Sequence, residues 1–231
     1  MENKGSVSII LLSGGFGKRS GKNSPKQYEK IRDRPIIQYS FECFSSLSEV
    51  TEIVVVCHEE YRDLFRSFHT TKTLTFAEPG ERRQDSVYNG LNALQYPEEF
   101  VCVHDGARPF ITPELVRRVC KEAFISDASA AAMPLKYTIK EIDESGFVIQ
   151  TPDREKFREI QTPQVIKTQL LKKGFDYVLE NNLTVTDDVS IIESLGLPVK
   201  LAEGDYNNIK ITTPEDFNQA ENICDLLFVS T

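Results

Sequence analysis

Apolar and polar positions alternate in two rhythms along this chain, and the change of rhythm predicts its elements. Val7-Ser8-Ile9-Ile10-Leu11-Leu12 is nearly continuously apolar and runs into Ser13-Gly14-Gly15, which reads as a parallel strand covered on both faces. Pro35 opens a helix with Ile37, Phe41 and Phe44 at i, i+4 and i+7. Ile53 to Cys57 reads as a second buried strand, a helix follows around Glu59 to Phe68, and Leu74 to Ala77 is a weaker third strand. Asp85 is placed to cap a helix whose apolar face is Val87, Leu91 and Leu94. Phe100 to Val103 forms a fourth strand ending at His104-Asp105, and Thr112-Pro113 starts another helix, threonine at the cap and proline in the first turn. Strands alternating with helices at this spacing predict an α/β fold with a doubly wound, mostly parallel sheet.

After Pro134 the period shortens to two. Tyr137 to Ile142 and Phe147 to Thr151 alternate, with Asp143-Glu144-Ser145-Gly146 as a turn between them, which predicts a β-hairpin arm at about 135–152 projecting from the sheet. The βα rhythm resumes with a helix from Thr168, another ending at Gly196, and strands at Val199 to Leu201 and Asn208 to Ile211. Thr213-Pro214-Glu215-Asp216 opens the last helix, with Asp216 reaching back as in a capping box. No linker, repeat or low-complexity tract divides the chain, so residues 1–231 read as one domain carrying the arm.

Composition narrows the classes. No apolar run approaches the ~18 residues of a membrane span, and the polar Met1 to Gly5 lead is unlike a signal peptide; a cytoplasmic protein with no membrane partner is expected. The five cysteines (Cys43, Cys57, Cys102, Cys120 and Cys224) are scattered and never spaced C-x-x-C, which reads as reduced core residues. A net charge of −8 argues against general nucleic-acid binding. Lys18, Arg19, Lys22 and Lys26 cluster against that balance, with no acid among them.

The cluster belongs to a glycine-rich loop after the first strand, Ser13-Gly14-Gly15-Phe16-Gly17-Lys18-Arg19. Glycines at a strand's carboxyl end let backbone N–H groups approach phosphates, although a plain tight turn also uses them. The dinucleotide fingerprint fails at its third glycine, where Ser20 stands, and a Walker A loop fails at Phe16 and Asn23.

With Pro25-Lys26-Gln27-Tyr28 the loop reads G-G-x-G-x-R-x6-P-K-Q, which resembles the nucleotidyltransferases that activate sugars and polyols. Within them the Pro-Lys-Gln-Tyr variant is similar to the methylerythritol phosphate cytidylyltransferases of isoprenoid-precursor synthesis. The likeness runs in order through Gly80 to Val87, the His104-Asp105-Gly106-Ala107-Arg108-Pro109 strand end, Thr138, Asp153-Arg154, Gln161-Thr162-Pro163-Gln164, Thr186-Asp187-Asp188 and Asn208 to Asp216. The chain departs from the pattern at Gly106, at Phe157 where Trp is usual, and at Tyr137 where an acid often precedes the threonine.

The resemblance implies a Rossmann-like fold and attack by a polyol phosphate oxygen on the α-phosphorus of CTP, with Mg²⁺ and loss of pyrophosphate. It makes Arg19, Lys26 and Lys210 the catalytic residues. Ser13, Gly14, Gly15, Gly17, Gly80, Glu81, Ser86 and Asp105 bind CTP, and Asp105 also takes the metal. Arg108, Thr138, Arg154 and Thr162 hold the polyol phosphate. His104 reads as structural, since a phosphate monoester is already a nucleophile. The arm implies a homodimer in which Thr138 and Arg154 complete the partner's site. Alternatives are a ribitol-5-phosphate cytidylyltransferase, which shares the loop and the H-D-x-x-R-P motif, and a catalytically silent nucleotide-binding protein.

Overall fold

The computed structural model describes residues 5–15 and 25–228. Its elements are β1 (Val7–Leu12), β2 (Lys30–Ile31), β3 (Arg34–Pro35), α1 (Ile36–Ser46), β4 (Val50–Val56), α2 (Arg62–Ser67), β5 (Thr73–Ala77), α3 (Arg83–Asn92) and β6 (Phe100–Asp105). They continue as α4 (Pro113–Ser126), β7 (Ala128–Pro134), β8 (Glu141–Ile142), β9 (Val148–Gln150), β10 (Arg158–Lys167), α5 (Thr168–Glu180), α6 (Ser190–Glu193), β11 (Lys200–Glu203) and α7 (Pro214–Phe228). One sheet has the order β11-β7-β10-β6-β1-β4-β5, and the ribbons β2-β3 and β8-β9 stand outside it. β1 pairs in parallel with β4 and β6, β4 with β5, and β7 with β11; β10 runs antiparallel between β6 and β7.

Both faces of the sheet are covered, which is why its strands are apolar without alternation. Ile9 and Leu11 face Phe41, Phe44, Phe65 and Leu115 from α1, α2 and α4. Ile10, between them, faces Val87, Leu91, Leu171, Phe175 and Ile191 from α3, α5 and α6. α7 packs Ala220, Ile223 and Cys224 against Ile31, Tyr39, Phe110 and Ile211 in a third cluster. Among the described residues no helix is long and apolar enough to cross a membrane.

Three expectations change. Asp85 is not the cap of α3: extended Arg82 is, and Asp85, at the third helical position, accepts from Arg82 N at 3.0 Å to close a capping box. Asn208 to Ile211 form no strand. This segment crosses the carboxyl edge of the sheet, with Ile211 N donating to Ala107 O at 2.9 Å. Its alternation is real, but Ile209 and Ile211 pack in the α7 cluster. The arm is a ribbon of two and three residues, shorter than its alternation, with Asp143 Oδ1 accepting from Ser145 N and Phe147 N across the turn. β7 and β10 were not legible in the pattern. β7 is alanine-rich, and β10 contains Pro163, after a cis Thr162–Pro163 bond.

Candidate active site

The carboxyl ends of β1 and β6 lie side by side, with Leu12 in register with Asp105. β10 is antiparallel, so its early residue Thr162 reaches the same edge: Asp105 N donates to Thr162 Oγ1 at 3.1 Å. Gly106 makes the close approach possible. Its N–H donates to Leu12 O at 2.8 Å, and a Cβ there would lie 2.7 Å from that oxygen.

Asp105 is the charged centre of the edge. Lys210 Nζ lies 2.7 Å from Oδ2, Arg83 Nε 3.0 Å from Oδ1, and Arg108 Nε 3.9 Å from Oδ2. Burial alone would raise this carboxyl, which is 8 % exposed. Arg83, Lys210 and Arg108 outweigh it and hold the group ionised, well below the usual carboxylate range. Arg83 also grips Asp188 with both terminal nitrogens, at 2.7 and 2.8 Å. Burial opposes its charge, yet the two carboxylates push its pKa above the ordinary arginine value. Arg108 Nη1 donates to Asn208 O at 2.7 Å, and Asn208 Nδ2 to Thr162 O at 2.8 Å, so the crossing segment that carries Lys210 is tied to β6 and β10.

His104 occupies the base of this centre, fully buried. Arg108 O can only accept, so His104 Nε2 carries the ring proton and donates to it at 3.0 Å, which leaves Nδ1 to accept from Thr162 Oγ1 at 3.0 Å; the same hydroxyl accepts from Asp105 N. Burial lowers the imidazole from 6.5 to about 4. It is neutral near pH 7 with both nitrogens occupied, which agrees with a structural role.

Ser13 sits just past the end of β1, buried, with its hydroxyl donating to Tyr28 Oη at 2.9 Å and its N–H to Val56 O at 2.8 Å, so both donors are spent within the protein. Gly14 packs against Pro79, and Gly15 is exposed. Lys26 opens a single 3-10 turn, Lys26–Tyr28, and is half-buried. Gly17 and Arg19 lie outside the described residues. Gly80 N donates to Ser86 Oγ at 2.9 Å, which closes the loop over the start of α3, while Glu81 is exposed. Thr138 and Arg154 are not gathered at Asp105. Both are exposed at the base of the arm, where Arg154 Nη1 donates to Lys136 O at 3.3 Å.

Sequence reasoning gave no role to Arg83, Asp188, Gln164 or Asn208, although each stands inside a quoted motif. The available signal was charge in an otherwise buried setting: Asp187-Asp188 directly precedes the apolar Val189-Ser190-Ile191-Ile192. Gln164 Oε1 accepts from Asp188 N and Val189 N at 2.8 and 2.9 Å and fixes Asp188 for Arg83.

Set beside known proteins, residues 7–225 match the family model described as IspD, 2-C-methyl-D-erythritol 4-phosphate cytidylyltransferase. The chloroplastic enzyme of that name from Oryza sativa subsp. japonica is 47% identical over 220 residues, 94% of this chain and 74% of the rice protein. The enzyme of the same name from Caldanaerobacter subterraneus subsp. tengcongensis is 40% identical over 220 residues, 93% of this chain and 97% of its own. Among solved structures, 4-diphosphocytidyl-2C-methyl-D-erythritol synthase from Anaerococcus prevotii superposes with a TM-score of 0.83 at 28% identity, covering 95% of this chain and 98% of its own. The 2-C-methyl-D-erythritol 4-phosphate cytidylyltransferase of Francisella tularensis gives 0.81 at 28% identity, covering 94% and 99%.

Proposed function

The chain belongs to the 2-C-methyl-D-erythritol 4-phosphate cytidylyltransferase family, and from that premise we propose how its own residues carry the reaction. It is a nucleotidyltransferase of the methylerythritol phosphate route to isoprenoids. It transfers the cytidylyl group of CTP to 2-C-methyl-D-erythritol 4-phosphate, giving 4-diphosphocytidyl-2-C-methyl-D-erythritol and pyrophosphate. The ribitol phosphate alternative is not favoured.

In the proposed step a phosphate oxygen of the polyol attacks the α-phosphorus of CTP in line. One P–O bond forms to that oxygen as the bond to the β-phosphate breaks, and pyrophosphate leaves with the electron pair. Two anions must meet, so positioning and charge neutralisation are the protein's main tasks. The observation that carries the reading is the meeting of Asp105, Lys210 and Arg108 at the sheet edge beside Ser13. Lys210 and Lys26, with Arg19 from the glycine loop, neutralise the pentacoordinate phosphorus and the leaving group. The backbone N–H groups that follow Ser13, from Gly14, Gly15 and Gly17, hold the phosphates, while Ser13 itself, its N–H bonded to Val56 O, only positions them. Gly80, Glu81 and Ser86 read the cytosine and ribose. Arg108 and Thr162, with Thr138 and Arg154 from a second subunit, hold the polyol phosphate.

A divalent cation fits this centre, and Mg²⁺ is the ion proposed. Asp105 supplies one ionised hard oxygen donor, and among the described residues no group of three or more His, Cys, Asp or Glu converges. A cation held by Asp105 would take its other ligands from phosphate oxygens and water, as Mg²⁺ does. When bound it would neutralise charge on the CTP phosphates.

The chain is proposed to act as one nucleotidyltransferase domain over residues 1–231 that dimerises through its arm. Tyr137, Ile142, Phe147, Val148 and Ile149 are all exposed there, and Phe147 is 73 % exposed. All five cysteines are free thiols, which supports a reducing compartment, proposed to be the cytoplasm.

A panel of polyol phosphates with CTP and Mg²⁺, read by pyrophosphate release, tests the reading. The methylerythritol phosphate should be the preferred acceptor, and EDTA should abolish turnover until Mg²⁺ is restored. Preferred turnover of ribitol 5-phosphate would overturn the acceptor assignment, and full activity in chelator would overturn the metal.

A further inference from the structure

The turn that carries Lys26 also holds two residues with no part in the scheme above. Gln27 is buried, and its Nε2 donates to Ser13 O at 2.8 Å and to Gly15 O at 3.2 Å. Tyr28 Oη donates to the same Ser13 O at 2.8 Å while accepting from Ser13 Oγ at 2.9 Å. Both lone pairs of one carbonyl, just past the end of β1, are therefore taken by side chains 14 and 15 residues further along. Tyr28 is itself fixed, its ring stacked on Tyr61 at 3.8 Å between centroids and 8° between planes, with Phe65 edge-on. Burial pushes its phenol well above the ordinary value, so the hydroxyl keeps the proton it donates.

Closing the turn does not require these bonds. Tyr28 N to Pro25 O and Glu29 N to Lys26 O already close it through backbone. What the side chains add is orientation. A trans peptide is planar, so the Ser13 carbonyl and the Gly14 N–H point in opposite directions. With the carbonyl held toward Gln27 and Tyr28, the Gly14 N–H is turned away from them. On its α-carbon Gly14 has room for hydrogen only, because a Cβ would strike Pro79.

We propose that Gln27 and Tyr28 are positioning residues for the nucleotide: they orient the Ser13–Gly14 peptide so that its N–H meets a phosphate oxygen of CTP. The proposal rests on the cytidylyl-transfer reading. A donor already aimed spares CTP the ordering of that peptide, so the anchors act on CTP affinity rather than on turnover once CTP is bound.

The test uses the full chain and two variants. Tyr28→Phe keeps the ring stack and removes only the hydroxyl. Gln27→Met keeps the length and removes both donors. CTP binding is measured by calorimetry, followed by kcat and both KM values and a thermal melt. Each variant should bind CTP about 5-fold or more weakly, the worth of a lost hydrogen bond. Turnover at saturating CTP and KM for the polyol phosphate should stay within about twofold of wild type. Folding damage alone would reduce the number of binding sites and leave Kd unchanged, which overturns the proposal. So would wild-type CTP affinity, or a fall in kcat alone. Wild-type protein that fails to bind CTP would overturn the underlying functional reading instead.

Discussion

Asp105 faces three cations of its own chain, Arg83, Lys210 and Arg108, and Arg83 serves two carboxylates, so these residues form one unit with Asp188. Removing Arg83 leaves Asp188 buried without its counter-charge. Arg83→Met should therefore destabilise the protein by roughly 3–5 kcal/mol in urea unfolding, the usual cost of breaking a buried pair by one partner. A loss below about 1 kcal/mol would mean that Asp188 is satisfied otherwise. Lys26 is proposed to act in the reaction itself. Lys26→Ala should lower kcat by about two orders of magnitude with a smaller effect on CTP affinity, as loss of a preorganised charge does; near-normal kcat would remove it from the reaction centre. His104 gives a pH signature. Its folded pKa is lowered from 6.5 to about 4, so between those values the unfolded chain binds the extra proton. Stability is then full above about 6.5 and is lost as pH falls toward 4. Wild type should lose roughly 3 kcal/mol more than His104→Gln between pH 7 and pH 4. Equal losses in urea titrations at the two pH values would show that the imidazole is not held neutral.

At the scale of elements, the site depends on β10 being antiparallel. The direction of that strand brings Thr162 to Asp105, and two residues later Gln164 reaches the 183–190 segment. Gln84 of α3 grips the same segment from the other side, accepting from Val185 N and donating to Leu183 O, both at 3.0 Å. Gln164→Ala would leave two buried backbone N–H groups without an acceptor, which costs about 2–4 kcal/mol. Amide exchange should accelerate at Asp188 and Val189 well before the core strands. Uniform acceleration across the sheet would argue that the two glutamines are not a local strap. The sequence showed Gln161 to Gln164 as a motif but not as a strand, because Pro163 breaks the expected pattern and pairing partners are set by chain direction.

At the scale of the whole molecule, the proposed dimer would make each site from two chains. β8 and β9 are too short to be stable alone, and Ile142 and Ile149 are exposed on them, as is Phe147 just before β9. A second copy would cover these residues, and two-fold symmetry would bring each arm to the other chain's site. Arg154→Ala and Lys26→Ala chains should each be nearly inactive. Equal mixtures should regain about a quarter of wild-type activity, because half the dimers are mixed and each has one intact site of two. No recovery after proven subunit exchange would place Arg154 in its own chain's site.

The sequence by itself determined the parallel strands, their covering helices and the family, because each rests on local signals. Apolar runs bury, glycines permit close approach, and a proline starts a helix wherever it falls. It also offered Thr186-Asp187-Asp188 and Gly80 to Val87 as separate motifs, but did not show that Arg83 joins them. Arg83 and Asp188 are 105 residues apart, and their meeting depends on how α3 and the 183–190 segment cross the carboxyl edge. Asn208 to Ile211 make the same point. Alternation specifies two faces, and only tertiary packing decided that one of them meets α7 rather than a neighbouring strand. Buried charges need partners within a few ångströms, and those partners come from chain crossings that no local pattern encodes.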